Sequence, residues 1–269
     1  MCATNVTTRL TLLTHKARKR FGQNFLRDPL VIQKIVDSIA PRPGELFIEI
    51  GPGQGALTSP LLTTGMELLL VEIDRDLADR LAARFHSHPG VQVHRGDALK
   101  IDYGDLAGNR RFRLAGNLPY NISTPLLFHV LQWSELIIDM HFMLQREVVN
   151  RMAASPGSKA WGRLSIMCQY RCEIVPLFTV QPESFFPVPK VHSAIVRLIP
   201  HREPPVQIVS IEAFEHLVTQ AFSMRRKTLR NSLRSLLDVS QIESAAIDPG
   251  LRADALGLEQ FAALSNLMK

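Results

Sequence analysis

Apolar and polar positions recur along this chain at two different periods, and the alternation between them lays out the elements. Leu30, Val31, Ile35, Val36 and Ile39 stand at helical spacing, which predicts a helix opened by Asp28 or Pro29 and running through Ala40. The continuous apolar run over 46–50 reads as a strand buried on both faces, followed by a helix over 56–64 that ends at Gly65. The pattern continues with a strand over 68–73, an amphipathic helix over 75–86, strands over 91–94 and 112–115, a helix over 123–133 and a strand over 137–144. Strands alternating with helices predict βαβ units and a parallel sheet with right-handed crossovers. Two more strand-like runs, 173–180 and 193–198, are joined by the Pro-rich stretch 182–189, a hairpin-like return suited to antiparallel strands at the sheet edge. Residues 200–205 read as a linker, beyond which the signals are helical: 211–223, 226–237, a short helix near 242–246, and 258–268. The expected architecture is an α/β main domain over 28–203 and a small all-helical domain over 204–269, preceded by an N-terminal arm over 1–27. No internal repeat or low-complexity segment interrupts it.

Composition narrows the class without naming an activity. At 269 residues, 46% hydrophobic and 21% charged, the chain is globular, and no apolar run approaches the length needed to span a bilayer. Cys2, Cys168 and Cys172 form neither a disulfide framework nor a metal quartet, and Cys168 and Cys172 read as buried thiols on one helical face. No metal is expected. The net charge of +6 is uneven. Residues 1–27 hold Arg9, Lys16, Arg18, Lys19, Arg20 and Arg27 with no acid, so the arm carries the whole excess. A second acid-free cluster, Arg225, Arg226, Lys227, Arg230 and Arg234, falls within ten residues. A basic arm plus a basic helix suits a polyanion. A solvated face is the competing reading of either run, and a transit peptide that of the arm.

Candidate chemistry gathers after the predicted strands. Glu49-Ile50-Gly51-Pro52-Gly53-Gln54-Gly55 follows the first strand and opens a helix, so that backbone can pass close to a ligand. Glu72 ends the next strand twenty-one residues after Gly51, placed to accept both hydroxyls of a ribose. Asp97 follows the third strand and can accept from an adenine amino group. A dinucleotide site would show Gly-x-Gly-x-x-Gly, whereas here the third glycine comes one residue early. Glycine loop, strand-end acid and Asp in register fit S-adenosylmethionine better than a nicotinamide, and so a Rossmann-like class I methyltransferase sheet. Gly116-Asn117-Leu118-Pro119-Tyr120-Asn121 is expected in the loop at the carboxyl end of the fourth strand. Asn117 Oδ1 and a loop carbonyl, that of Leu118 or Pro119, can accept both hydrogens of an exocyclic amine while Tyr120 stacks on the ring. A β–α turn in which Pro and Asn supply only geometry is the alternative.

Five stretches together resemble the ribosomal RNA adenine N6,N6-dimethyltransferase family, of the bacterial small-subunit, kasugamycin-sensitivity type. They are residues 18–26, the glycine loop, Asn117–Tyr120, Phe185-Phe186-Pro187-Val188-Pro189-Lys190-Val191-His192-Ser193, and residues 222–233, in order from about residue 16 to the end. The resemblance implies transfer of two methyl groups to each of two adjacent adenines near the 3′ end of small-subunit (16S) rRNA during ribosome assembly; a cytoplasmic monomer with no membrane partner is expected. It implies that Asn24, Leu26, Gly51, Gly53, Glu72, Asp97 and Asn117 hold the cofactor, with the arm folded over its methionine end. Tyr120 and Phe185 are expected to clamp the target base, with at least one of Phe185 and Phe186 in the core. Lys19, Arg20, Arg225, Arg226, Lys227, Arg230 and Arg234 are the expected RNA contacts. His192 stands where relatives often carry an acid and reads as a tolerated substitution.

The implied chemistry is positioning. Adenine N6 is a poor nucleophile because its lone pair is delocalised, and two carbonyl acceptors can hold it pyramidal without a metal or strong base. The base must be single-stranded or flipped to be reached. Adenine-specific DNA methyltransferases use a similar loop, and family relatives act as mitochondrial transcription factors; these remain the alternatives.

Overall fold

The computed structural model describes Arg18, residues 23–119 and residues 122–268 of the chain. Lys19, Arg20 and Tyr120 therefore lie outside the described residues. Seven strands form the central sheet: β2 (Leu46–Ile50), β3 (Glu67–Glu72), β4 (Val91–Arg95), β5 (Phe112–Asn117), β6 (Ile137–Gln145), β7 (Cys172–Val180) and β9 (Ser193–Pro200). Their spatial order is β4-β3-β2-β5-β6-β9-β7. From β4 through β6 every neighbour is parallel, while β9 pairs antiparallel with both β6 and β7. The predicted hairpin edge is thus present, with β9 inserted between β6 and β7. Two short strands, β1 (Phe25–Leu26) and β8 (Phe185–Phe186), make a separate antiparallel ribbon.

Helices α1 (Pro29–Ile39), α2 (Thr58–Leu62), α3 (Arg75–Phe85), α4 (Tyr103–Ala107), α5 (Ser123–Val130), α6 (Arg146–Met152) and α7 (Arg163–Arg171) belong to this part of the chain. The starts of α1 and α3 follow from their first residues. Asp28 caps α1 by accepting from Leu30 and Val31 N–H, with Pro29 in the first turn, and Asp74 caps α3 by accepting from Asp76 N–H. β2 is buried along its whole length and β3 from its second residue onward, which is why both read as unbroken apolar runs. One core lies on each face of the sheet. The first holds Ile48, Ile50, Leu114, Leu126 and Phe142; the second holds Ile35, Phe47, Leu68, Leu70 and Ile195.

A third core gathers α8 (Ile211–Ser223), α9 (Leu229–Ser232), α10 (Val239–Ser244) and α11 (Leu258–Ser265) around Phe214, Leu217, Leu233 and Phe261. It recruits Trp161, Ile166 and Met167 from the preceding segment, and Trp161 Nε1 donates to the Leu256 carbonyl at 2.9 Å. Helix α7 therefore faces two cores at once, Leu164 and Cys168 toward the sheet, Ile166 and Met167 toward the helices. A helix buried on both sides carries no amphipathic stripe, and the sequence pattern gave none to read.

The structure corrects several expectations. The helix predicted over 226–237 shrinks to α9. Leu229 and Arg230 N–H donate to the carbonyls of Leu251 and Pro249, and Thr228 bridges to Arg252, so the backbone before Leu229 is taken by another segment. Leu229, Leu233 and Leu237 are buried, while the basic side chains stay exposed. Strand β5 continues through Asn117, so Gly116 and Asn117 end a strand instead of opening a loop. Cys168 lies in α7 and Cys172 begins β7, so they share no helical face; both are buried, and burial pushes the Cys168 thiol up to about 12.

Near the amino ends of the strands, opposite the edge that will hold the site, buried Arg113 binds three partners. Its Nε and Nη2 donate to Asp139 at 2.7 and 2.9 Å, Nη1 donates to Glu45 at 2.9 Å, and Nη2 also reaches the Ile39 carbonyl at 2.7 Å. One side chain thereby ties the end of α1 to β5 and β6. Arg113→Met should leave buried Asp139 with the Arg197 guanidinium, 2.8 Å away, in place of two such partners, costing about 1.5–3 kcal/mol. Urea unfolding should show this as a lowered midpoint at unchanged slope, while cofactor affinity of the folded protein stays put because the cleft is at the other edge.

Candidate active site

Strand order reverses direction at β2, whose neighbours β3 and β5 carry the chain away on opposite sides. In an open parallel sheet the crevice at such a point, outside the carboxyl ends of the strands, is where ligands bind. A cleft of roughly 1040 Å³, mouth included, lies there. Its lining brings together Asn24, Leu26, Gly51, Gly53, Glu72, Asp97, Asn117, Leu118 and Pro119, residues spread over about a hundred positions of sequence.

Close approach of backbone explains two of the glycines. A Cβ at Gly116 would stand 2.5 Å from the Ile50 carbonyl across the β2–β5 pair, so only glycine lets the strands meet at the switch point. Gly53 has φ +57°, and a Cβ there would press to 3.1 Å from the Phe25 ring. The turn so formed aims Gly53 N–H at Glu72 Oε2, 3.1 Å away, while Asp74 N–H donates to Glu72 Oε1 at 2.9 Å. Two backbone donors thus fix a buried carboxylate at the end of β3. Burial raises its pKa, those two hydrogen bonds pull it down, and the neighbouring Asp74 charge adds to the rise. Asp97 accepts from Leu99 N–H at 3.0 Å, and its loop is braced where Tyr103 Oη donates to the Ala98 carbonyl.

Glu49 is the residue whose chemistry sequence spacing had not separated from the glycine motif. It is buried beneath the cleft, its Oε2 accepts from Thr58 Oγ1 at 2.6 Å, and burial pushes its pKa up to about 7, with the Glu72 charge adding to the shift. Two acids on one wall, with no cation among the described residues paired to either, suit a ligand that brings positive charge. A cradle of backbone without side chains, a carboxylate fixed for a diol, and acids facing a cation match S-adenosylmethionine, which carries a ribose, an ammonium and a sulfonium.

Asn117 has its amide set by the N-terminal strand. Its Nδ2 donates to the Asn24 carbonyl at 2.8 Å, which leaves Oδ1 as the acceptor end. Of the two loop carbonyls, that of Pro119 accepts from Ile122 N–H at 3.1 Å, whereas that of Leu118 has no partner among the described residues. The Leu118 side chain is buried in the first core, and its N–H donates to the Met143 carbonyl at 3.2 Å, so the residue is anchored on both sides of that oxygen.

Phe185, expected to clamp the target base, is corrected: it is 3% exposed and packs in the second core with Leu26, Met143 and Ile195. Its neighbour Phe186 is 53% exposed, so one of the two rings is core, as expected, and the outward ring is the other one. Arg225, Arg226, Lys227, Arg230 and Arg234 are all exposed; Arg225 also donates to the Lys159 and Trp161 carbonyls, which fixes where that cluster stands. Sequence reasoning missed Arg18. Its guanidinium pairs with Asp74 at 2.9 Å and with Asp76, and Gln23 Nε2 donates to Asp74 at 3.1 Å, so this end of the arm is fastened to the α3 cap. His192 directly precedes β9, apart from the cleft lining.

A model of the ribosomal RNA adenine dimethylase family matches residues 14–269. Among curated proteins the chain is 54% identical to the ribosomal RNA small subunit methyltransferase A of Chromohalobacter salexigens, over 94% of this chain and 91% of that one. It is 52% identical to the protein of that name from Pseudomonas aeruginosa, over 95% and 96%. Among solved structures it is similar to a dimethyladenosine transferase from Plasmodium falciparum, with TM-score 0.76, 25% identity and coverage of 89% and 95%. It is likewise similar to the 23S rRNA methyltransferase ErmE, with TM-score 0.72, 28% identity and coverage of 91% and 99%.

Glu49 gives the site a pH signature. Because its folded pKa lies above the unfolded value of 4.5, the folded protein gains stability from this group below pH 4.5 and loses it as pH rises through about 7. A cationic ligand favours the ionised form, so cofactor binding near pH 7 should release a proton. Calorimetry in two buffers of different ionisation enthalpy should show this release in the native protein and its absence in Glu49→Gln; identical release in both removes Glu49 as the source.

Proposed function

The chain belongs to the ribosomal RNA adenine dimethylase family, enzymes that dimethylate rRNA adenines with S-adenosylmethionine, and we propose that its substrate is 16S rRNA of the assembling small subunit. The methylated groups are the N6 amines of two adjacent adenines near the 3′ end, and the reaction takes place in the cytoplasm. Bacterial relatives named as small-subunit methyltransferases support that substrate over a DNA or transcription-factor role.

The observation that carries the mechanism is the orientation of Asn117. With Nδ2 spent on the Asn24 carbonyl, Oδ1 and the Leu118 carbonyl, which has no partner among the described residues, form a pair of acceptors at the cleft. Each takes one hydrogen of the exocyclic amine and holds the nitrogen pyramidal, which localises its lone pair. When bound, the cofactor supplies an electrophilic methyl on a sulfonium. Glu72 holds the ribose hydroxyls, Asp97 accepts from the cofactor's adenine amine, and the turn at Gly51 and Gly53 lets backbone pass along it. The arm at Asn24 and Leu26 closes the methionine end. The nitrogen becomes cationic on methyl transfer, so its proton is acidic and leaves to water, and preorganised dipoles carry the catalysis. Tyr120 stacks on the extruded base, a contact worth about 1–3 kcal/mol that offsets much of the unstacking cost. Arg226, Lys227, Arg230 and Arg234, with Lys19 and Arg20 of the arm, hold phosphates and set the register of the RNA without reading sequence.

Asn117→Ala should abolish methylation of under-methylated small subunits and leave cofactor binding nearly intact, whereas Glu72→Ala should weaken cofactor binding directly. Mass mapping of adenines in subunits incubated with labelled S-adenosylmethionine, together with the cofactor dissociation constants, separates the two; equal loss of both properties in Asn117→Ala would reduce it to a cofactor ligand. Neutralising Arg226, Arg230 and Arg234 together should flatten the salt dependence of RNA binding by up to about 2 units of slope. A slope that does not move refutes the phosphate role.

A further inference from the structure

The ribbon of β1 and β8 sorts its four side chains by register. Phe25 pairs with Phe186, and Leu26 with Phe185. Residues directly opposite in an antiparallel pair project from the same face, and successive residues alternate. Leu26 and Phe185 both point into the second core. Phe25 and Phe186 accordingly share the other face, and on it the Phe25 ring lines the cleft against Gly53 while Phe186 lies outside the lining, at the rim. Arg27, two residues past Phe25, returns to that face, and its guanidinium carbon stands 4.2 Å from the centroid of the Phe186 ring. Arg27 is exposed and has no carboxylate partner among the described residues. Around this pair the stretch 184–192 contains no acid, and it exposes Val188, Lys190 and Val191.

An outward phenyl ring under a guanidinium, on the rim of an active-site cleft and inside an acid-free segment, has the chemistry that binds single-stranded nucleic acid: a flat face for a base and a cation for its phosphate. Phe186 lies across the ribbon from β1, one strand spacing beyond the segment whose Asn24 carbonyl receives the Asn117 amide. Phe186 is not among the residues lining the cleft, so its ring is outside the pocket that holds Asn117 and Leu118. We propose that Arg27 and Phe186 form a subsite for the nucleotide flanking the methylated adenosine, its base stacked on the open face of Phe186 and its phosphate at Arg27. This rests on the RNA substrate proposed above. It gives the exposed ring of the Phe-Phe pair a task separate from clamping the target base, and it holds the strand in line while the neighbouring adenosine is extruded.

The probe is a short single-stranded RNA carrying 2-aminopurine beside an adenosine, mixed with the full-length protein. Native protein should quench the fluorophore. Phe186→Ala and Phe186→Leu should lose the quenching and bind about 5- to 150-fold more weakly, while Phe186→Trp restores both. Because Leu keeps bulk without a flat face, Leu behaving like Phe would assign the ring to packing and overturn the subsite. Arg27→Ala should lower the salt slope by about 0.7, one phosphate on a single strand. Cofactor dissociation constants and melting temperatures should match the native protein in every variant. If the native protein methylates subunits and Phe186→Ala equals it in binding and quenching, the subsite is wrong and the substrate reading stands. If the native protein neither binds the RNA nor methylates subunits, both fall.

Discussion

One hydrogen bond, from Asn117 Nδ2 to the Asn24 carbonyl, joins the two parts of the chain on which the site depends. A carboxamide is a donor at one end and an acceptor at the other, and nothing intrinsic to a strand end decides which way it faces. Here the backbone of the arm decides it. Once the donor end is engaged, Oδ1 becomes the acceptor, and with the Leu118 carbonyl it makes the pair an amine can bridge. The same bond positions residues 24–26, which line the cleft and pair with β8. Binding wall, reactive acceptor and the loop beyond β8 are thus held in one register by a contact between residues ninety-three positions apart.

Charge is sorted between the interior of the cleft and the outside of the protein. Glu49, Glu72 and Asp97 face inward or lie beneath the cleft, while Arg225, Arg226, Lys227, Arg230, Arg234 and Arg27 face solvent. A cationic donor and a polyanionic acceptor are drawn to different places by this arrangement, and neither competes for the other's ground. Burial sharpens the inner half: Glu49 titrates about pH 7 because its charge is held away from water. A cation arriving above it relieves that cost, so the site is least comfortable when empty.

The fold was legible where burial on one or two faces imposed a period. β2 and α8 match their predicted limits, and the other strands of the sheet shift by two residues or fewer at either end. It was illegible where packing or tertiary hydrogen bonds overrode the period. α7 faces two cores and shows no stripe, and Leu229 and Arg230 give their N–H donors to the carbonyls of Leu251 and Pro249. In the site, the glycine turn, Glu72, Asp97 and Asn117 were all placed by sequence at strand ends, and the structure brings them to one cleft. The fastening of Arg18 to Asp74 depends on a hydrogen bond between residues fifty-six positions apart that no local pattern encodes.

The pair Phe185-Phe186 shows why a motif can name a neighbourhood and miss the residue. Two adjacent aromatics in a strand must project to opposite faces, so identity of side chain cannot tell core from surface. Only the partner strand can, and its register against Phe25 and Leu26 sends Phe185 inward and Phe186 outward. A slip of one residue in that two-residue ribbon would bury Phe186 and expose Phe185, exchanging their tasks. Arg27 N–H donates to the Ser184 carbonyl at 2.8 Å, and Ser184 Oγ donates to Asp28, the cap of α1. These two bonds lock the register from outside the ribbon, so which of the two rings faces solvent is set by the start of a helix that is not itself part of the ribbon.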